Sequence, residues 1–456
     1  MSISTVSPFG APISFGSSKC AAKKPAPVTA LVNQDRLVDE FVSFAKINTQ
    51  SRRNAKSFPS TPGQTKLANI LAERLRGLGL NDVNVDEHSV VTATLPSNLD
   101  VQAPTIGLVS HMDTSDQAPG ANVKPTLHTN YQGGDLVLKG GTVIPAADLE
   151  SHIGEDIISS DGRTLLGSDD KAGIAEILET LRVFNENPQL KHPKLRIAFT
   201  PDEETSEFIE NFDINGFGAD YAYTVDGESA EAIEDSSFNA HWADITINGR
   251  SMHPGYAYDL LINAITMAGE FMGAIPPHER PETTRGLEGY YFPLGIKGTD
   301  SKAKLSMLIR DFDINGSMRR IEFLKGVAAE LEKRHPGSKV AVEVTEQYRN
   351  MFEILSQHPE VISAAEEGIR RTGLTPRKGG IRGGTDGCEL TEKGLPTPNL
   401  GTGGYNFHSK REFVTKQDMV SCVGNIVNTL GVWAERAVTA AAQAQPTAAV
   451  KPASQT

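Results

Sequence analysis

The 456-residue chain is poor in cysteine: Cys20, Cys388 and Cys422 are all it has, and no two form a CxxC pair. So odd and sparse a count excludes a disulfide framework and fits a reducing compartment, taken here as the cytoplasm. It also excludes a zinc site built on cysteine, so any metal has to sit on histidine and carboxylates. No stretch of about 18 apolar residues occurs, which leaves no transmembrane helix. Basic runs are missing too. Forty-four Lys and Arg against 57 Asp and Glu give a formal net charge of -13. That argues against nucleic acid or an anionic membrane as partner. Residues 1–34 contain no acid and no arginine; Lys19, Lys23 and Lys24 are their only charges. Rich in Ser, Ala and Pro, they are expected to form a disordered extension, with an organelle transit segment as the alternative. The low-complexity stretch 439–456 is expected to be a flexible tail.

What is present alternates between two periods. TKLANILAERLRGLGL carries Leu67, Ile70, Leu71, Leu75 and Leu78 at helical spacing, and KAGIAEILETLRVF carries Ile174, Ile177, Leu178, Leu181 and Phe184. Between and after them, TIGLVSH (105–111), KLRIAFT (194–200) and YAYTV (221–225) read as buried strands. From about residue 238 the pattern restarts with WADITIN, a helix over LLINAITMAGEFM, the strand AKLSMLIRDFD, a helix with Ile321, Leu324, Ala328 and Leu331, and the strand KVAVEV. Helical periodicity returns at PEVISAAEEGIRRTG and DMVSCVGNIVNTLGVWAERA. The prediction is an α/β fold: a catalytic domain over 35–237 and 351–438, with a mostly parallel sheet flanked by helices. A smaller α/β sandwich over 238–350 interrupts it.

The polar groups gather where strands end. His111 and Asp113 follow the first strand, Asp169 and Asp170 open a helix, Glu203 and Glu204 follow RIAFT, and Asp226 follows YAYTV. Taken singly, each is ordinary: HxD is a polar loop, DD and EE are helix caps, VDG is a turn. Parallel strands would bring all of them to one rim. Unit charges about 4 Å apart repel by about 4 kcal/mol at an effective dielectric of about 20. A divalent metal relieves that, and a His, Asp and Glu set suits Zn²⁺, Co²⁺ or Mn²⁺, with room for two ions. The glycine-rich RKGGIRGGTDG lacks the GxxxxGK[ST] spacing of a phosphate cradle.

The segments SHMDTS, TLLGSDDKAGIAEI, AFTPDEE, YTVDGE, MHPG, IRDFD, IRGGTDG and NLGTGGYNFHSKREFV occur in this order. Together, from about residue 36 to 435, they closely resemble the tripeptide aminopeptidases of the M20 family of dinuclear zinc metallopeptidases. The resemblance implies two Zn²⁺ per subunit, one on His111, Asp169 and Asp226, the other on Asp169, Glu204 and His408. It implies a cis peptide between Asp169 and Asp170, Glu203 as general base and Asp113 as the partner that orients His111. His253 corresponds to a lid histidine that reaches substrate; Arg310, Arg382 and Asn263 fall at positions that would hold it. A homodimer through the inserted lid domain and small peptide substrates follow. Other M20 chemistries, dipeptidase or N-acyl amino acid deacylase, stay open, as does a non-catalytic metal or peptide binder. The chain departs from the family after DEE, where TSEFIEN replaces a glycine-containing stretch and adds Glu207 and Phe208 beside the rim.

Overall fold

The computed structural model describes residues 27–205 and 212–444. Glu207 and Phe208 of the divergent segment lie outside the described residues, as does Cys20. Along the chain, α1 (Gln34–Ala45) and α2 (Pro62–Gly77) precede strands β1 (Asn81–Val85), β2 (Val91–Leu95) and β3 (Ile106–His111). Then come α3 (Ser168–Glu186), β4 (Leu195–Thr200), β5 (Tyr221–Gly227) and β6 (Ala232–Ser237). The next run holds β7 (Asn239–Asn248), α4 (Ala264–Ala274), β8 (Tyr290–Gly298), β9 (Lys302–Asp311), α5 (Ile314–Arg334) and β10 (Lys339–Tyr348). The chain closes with α6 (Pro359–Thr372), β11 (Arg377–Ile381), β12 (Asn399–Gly401) and α7 (Lys416–Ala444).

The helices follow from local chemistry. In α2, Pro62 sits in the first turn, where a missing N–H costs nothing. Leu67, Leu71 and Leu75 then fall on one buried face. In α1 the Asn33 side chain accepts the Arg36 N–H and caps the helix. Eight strands form one sheet in the order β1-β2-β4-β3-β5-β12-β6-β11. β3 runs parallel to both β4 and β5, β5 parallel to β12, and β6 parallel to β11. β1 with β2, β2 with β4 and β6 with β12 are antiparallel. Alternation along the central strands divides two cores. Leu108, Ile197 and Val225 join the large core with residues of α1, α3, α6 and α7, while Val109, Ala198 and Ala222 turn to a smaller cluster.

β8-β9-β7-β10 form a second, wholly antiparallel sheet. Its own core joins Ile245, Met307 and Ile309 to Phe271 of α4 and Leu324 of α5. A third small sheet, absent from the sequence reading, pairs Thr126–His128, Ile157–Ser159, Phe413–Thr415 and Gly404–Tyr405. Its strands have two or three residues each, too few to show a period.

Order extends further at both ends than expected. Val32 is buried in the large core, with Val28 and Leu31 packed on it, so the extension assigned to 1–34 already contributes to the fold. α7 runs to Ala444, past the expected start of the tail at 439. Alanine-rich sequence reads as low complexity, yet alanine is the best helix former.

One glycine sets how closely α3 approaches the sheet. A Cβ on Gly173 would stand 1.9 Å from the Val225 carbonyl oxygen and 2.5 Å from Asp170 Oδ1. Gly173→Ala should therefore push α3 off β5 and destabilise the protein by about 1–3 kcal/mol. Chemical denaturation measures this; an unchanged midpoint would show that α3 has room to spare.

Candidate metal centre

Because β4, β3 and β5 are parallel neighbours, their carboxyl ends share one rim. His111 pairs in register with Thr200, and Val109 with Thr224. That register sets His111 level with Asp226, and His111 Nε2 lies 3.4 Å from Asp226 Oδ1. Asp169 comes from the turn before the regular part of α3, where Asp169 and Asp170 have non-helical backbone and their shared peptide is cis. His408 reaches in from the loop between two strands of the small third sheet.

Asp169 is the meeting point. Its Oδ1 is 2.8 Å from His111 Nε2 and its Oδ2 is 3.0 Å from His408 Nε2. His408 Nε2 also stands 2.9 Å from Glu204 Oε1, which takes no well-aligned hydrogen bond. Two sets of three donors result, His111, Asp169 and Asp226, and Asp169, Glu204 and His408; within each, the donor atoms lie within 4.8 Å of one another. Imidazole nitrogen with carboxylate oxygen and no sulfur fits Zn²⁺, Mn²⁺ or Co²⁺. Donors brought from separate segments to common points fit the same conclusion.

The charges bear out the strain of the arrangement. Burial pushes Glu204 up to about 7, with Asp169 adding to the shift. Burial also raises Asp226 to about 6 against the pull of His111. Glu203 is raised well above the carboxylate range by burial, opposed by His111 and reinforced by Asp226. Burial alone would lower His408, but its hydrogen bond to Asp169 and the adjacent Glu204 carboxylate carry it to about 11. Asp169 goes the other way: although burial opposes ionisation, His111 and His408 hold it well below the usual range.

Supporting bonds fix the segments that carry these donors. The buried Asp113 carboxylate accepts the backbone N–H groups of Glu203 (3.1 Å) and Glu204 (3.2 Å) and lies 3.3 Å from His111 Nδ1. Asp170 Oδ2 accepts the His111 N–H at 3.1 Å. Sequence reasoning missed Glu412. Its buried carboxylate accepts N–H groups of Leu166, Gly167, Ser168 and Asp169 and the Ser168 hydroxyl, at 2.6–3.2 Å. Glu412 thus ties the loop that carries His408 to the turn that carries Asp169. Its signal was only an acid four residues after a histidine. Asp386, in IRGGTDG, was also missed; it lines the cavity and accepts the Thr200 hydroxyl at 2.7 Å.

A cavity of about 1040 Å³ opens above the cluster, and Asp169, Glu203, Glu204, Asp226 and His408 line it. Arg310 and Arg382 line it too, facing in from the second sheet and from the end of β11. Neutral acceptors hold both guanidiniums: Arg310 bonds the carbonyls of His241 and Ile309 and the Gln347 side chain, Arg382 the carbonyls of Gly286 and Glu288. His253 and Asn263 do not line this cavity within the chain. His253 is exposed, accepting the Gly255 N–H at 3.1 Å, and Asn263 caps α4.

The profile of peptidase family M20/M25/M40 matches residues 161–430. The chain belongs to this family. Peptidase T from Geobacillus kaustophilus is 42% identical over 409 residues, which are 89% of this chain and all of that protein. Among solved M20-like folds, an aminopeptidase from Bacillus cereus superposes with a TM-score of 0.71 at 22% identity. A tripeptidase from Staphylococcus aureus does so with 0.71 at 23%. Both superpositions cover 89% of this chain and the whole of the other, and they carry the fold.

In this M20 chain, Glu412→Ala should cost more than about 3 kcal/mol of stability, since it leaves several buried donors without an acceptor. Equilibrium unfolding measures it. A loss under about 1 kcal/mol would show that water replaces the carboxylate.

Proposed function

We propose that the chain is a zinc-dependent aminopeptidase that releases the N-terminal residue from tripeptides. The observation that carries this reading is Asp169, whose two carboxylate oxygens each meet a different imidazole, with Glu203 lining the same cavity. The 42% identity to a peptidase T supports the substrate class. His111, Asp169 and Asp226 would hold one ion; Asp169, Glu204 and His408 would hold the other. When bound, such a pair supplies Lewis acidity toward a peptide carbonyl and lowers the pKa of water.

The remaining chemistry falls to the chain's own groups. Glu203 accepts a proton from the attacking water and hands it to the departing amine nitrogen. Asp113 fixes the His111 ring and the backbone of both glutamates. Arg310 and Arg382, charged and held by neutral partners, receive the peptide's terminal carboxylate. A cavity of about 1040 Å³ suits a short peptide. The reading includes a homodimer formed through the unit of the second sheet, and a cytoplasmic location.

Glu203→Ala should lower turnover of a tripeptide by about 10²- to 10⁴-fold while metal content stays at the wild-type level. Chelation of the wild type should abolish release of the free N-terminal amino acid. Near-wild-type turnover in Glu203→Ala would remove Glu203 as the base. Cleavage of acylated amino acids alone would move the activity to a deacylase.

A further inference from the structure

The open face of the second sheet carries a pattern that the hydrolytic centre does not use. Its other face is closed by α4 and α5 over Ile245, Met307 and Ile309. On the open face Tyr290 pairs with Arg310 across β8 and β9. Two positions further along the strands, Phe292 pairs with Leu308, and Leu308 pairs with Trp242. Three large apolar side chains therefore stand in one cross-strand row, and all three line the same cavity as the metal centre. Phe292 is 40% exposed. The next row turns polar: Ser306 pairs with Asp244 and donates to its carboxylate at 2.8 Å. The apolar strip thus lies between Arg310 on one side and Asp244 on the other, and Leu294 continues it along the edge strand, lining the same cavity.

Residues two apart on a strand share a face and lie about 6–7 Å apart. A peptide's terminal carboxylate and its last side chain leave the same Cα, so a large side chain spans a similar distance. With the carboxylate on Arg310, that side chain falls on Trp242, Leu308 and Phe292. We propose that this row is the subsite for the third, C-terminal residue of the peptide and selects a large apolar side chain there. The inference rests on the tripeptide aminopeptidase reading and adds to it a preference that the metal centre does not set. An acidic side chain is disfavoured twice, by the apolar row and by Asp244 beyond it.

The test compares kcat/KM for Ala-Ala-Phe, Ala-Ala-Ala and Ala-Ala-Asp, read as release of free alanine by the metal-loaded protein. The wild type should favour Ala-Ala-Phe over Ala-Ala-Ala by about tenfold or more, and Ala-Ala-Asp should be the poorest. Trp242→Ala and Phe292→Ser should each bring the first ratio toward one, through KM rather than kcat. Phe292→Ser alters an exposed edge-strand position, so it carries the test if Trp242→Ala fails to fold. Equal wild-type rates for Ala-Ala-Phe and Ala-Ala-Ala, or a preference untouched by Phe292→Ser, would overturn the subsite. Cleavage of none of the three peptides would overturn the aminopeptidase reading itself, and the subsite with it.

Discussion

The structure turns on one electrostatic constraint: several carboxylates are buried at the ends of three parallel strands. Left alone, Glu204 and Asp226 resist ionisation, as their raised proton affinities show. Asp169 ionises readily because an imidazole faces each of its oxygens. Much of the surrounding architecture maintains this convergence. The parallel register levels His111 with Asp226, Gly173 lets α3 close on β5, Asp113 gathers the Glu203 and Glu204 backbone, and Glu412 fastens the His408 loop to the Asp169 turn. Together these features hold the clustered donors at one point.

Much of this was legible in the sequence, because strand ends are marked by a change from apolar to acidic residues. RIAFTPDEE shows the switch within a few positions, and the parallel arrangement follows from alternating strands and helices. His408 was not legible on spacing alone: it sits in a glycine-rich loop almost 240 residues from Asp169, and only family resemblance singled it out. Glu412 was hidden for a different reason. Its importance lies in which backbone N–H groups converge on it, and no residue pattern records that. The third sheet escaped because its strands are shorter than any detectable period. The end of α7 was misjudged because alanine serves both a flexible tail and a helix.

The two sheets divide the work in the proposed reading. The large parallel sheet concentrates charge, as its strand ends and helix starts allow. The smaller antiparallel sheet has one face closed by helices and one face open, and the open face offers what the large sheet's rim lacks: guanidinium beside a strip of apolar surface. His253 and Asn263 stand on that smaller unit but away from the cavity within a single chain. Chemistry and selection are then separate properties of the fold, open to separate change.

The central claim is that Asp169 joins two cation sites. Elemental analysis of the purified protein beside an Asp169→Ala variant tests it most directly. The account predicts two equivalents of divalent metal per chain in the wild type and less than one in the variant. Two equivalents retained without Asp169 would contradict it.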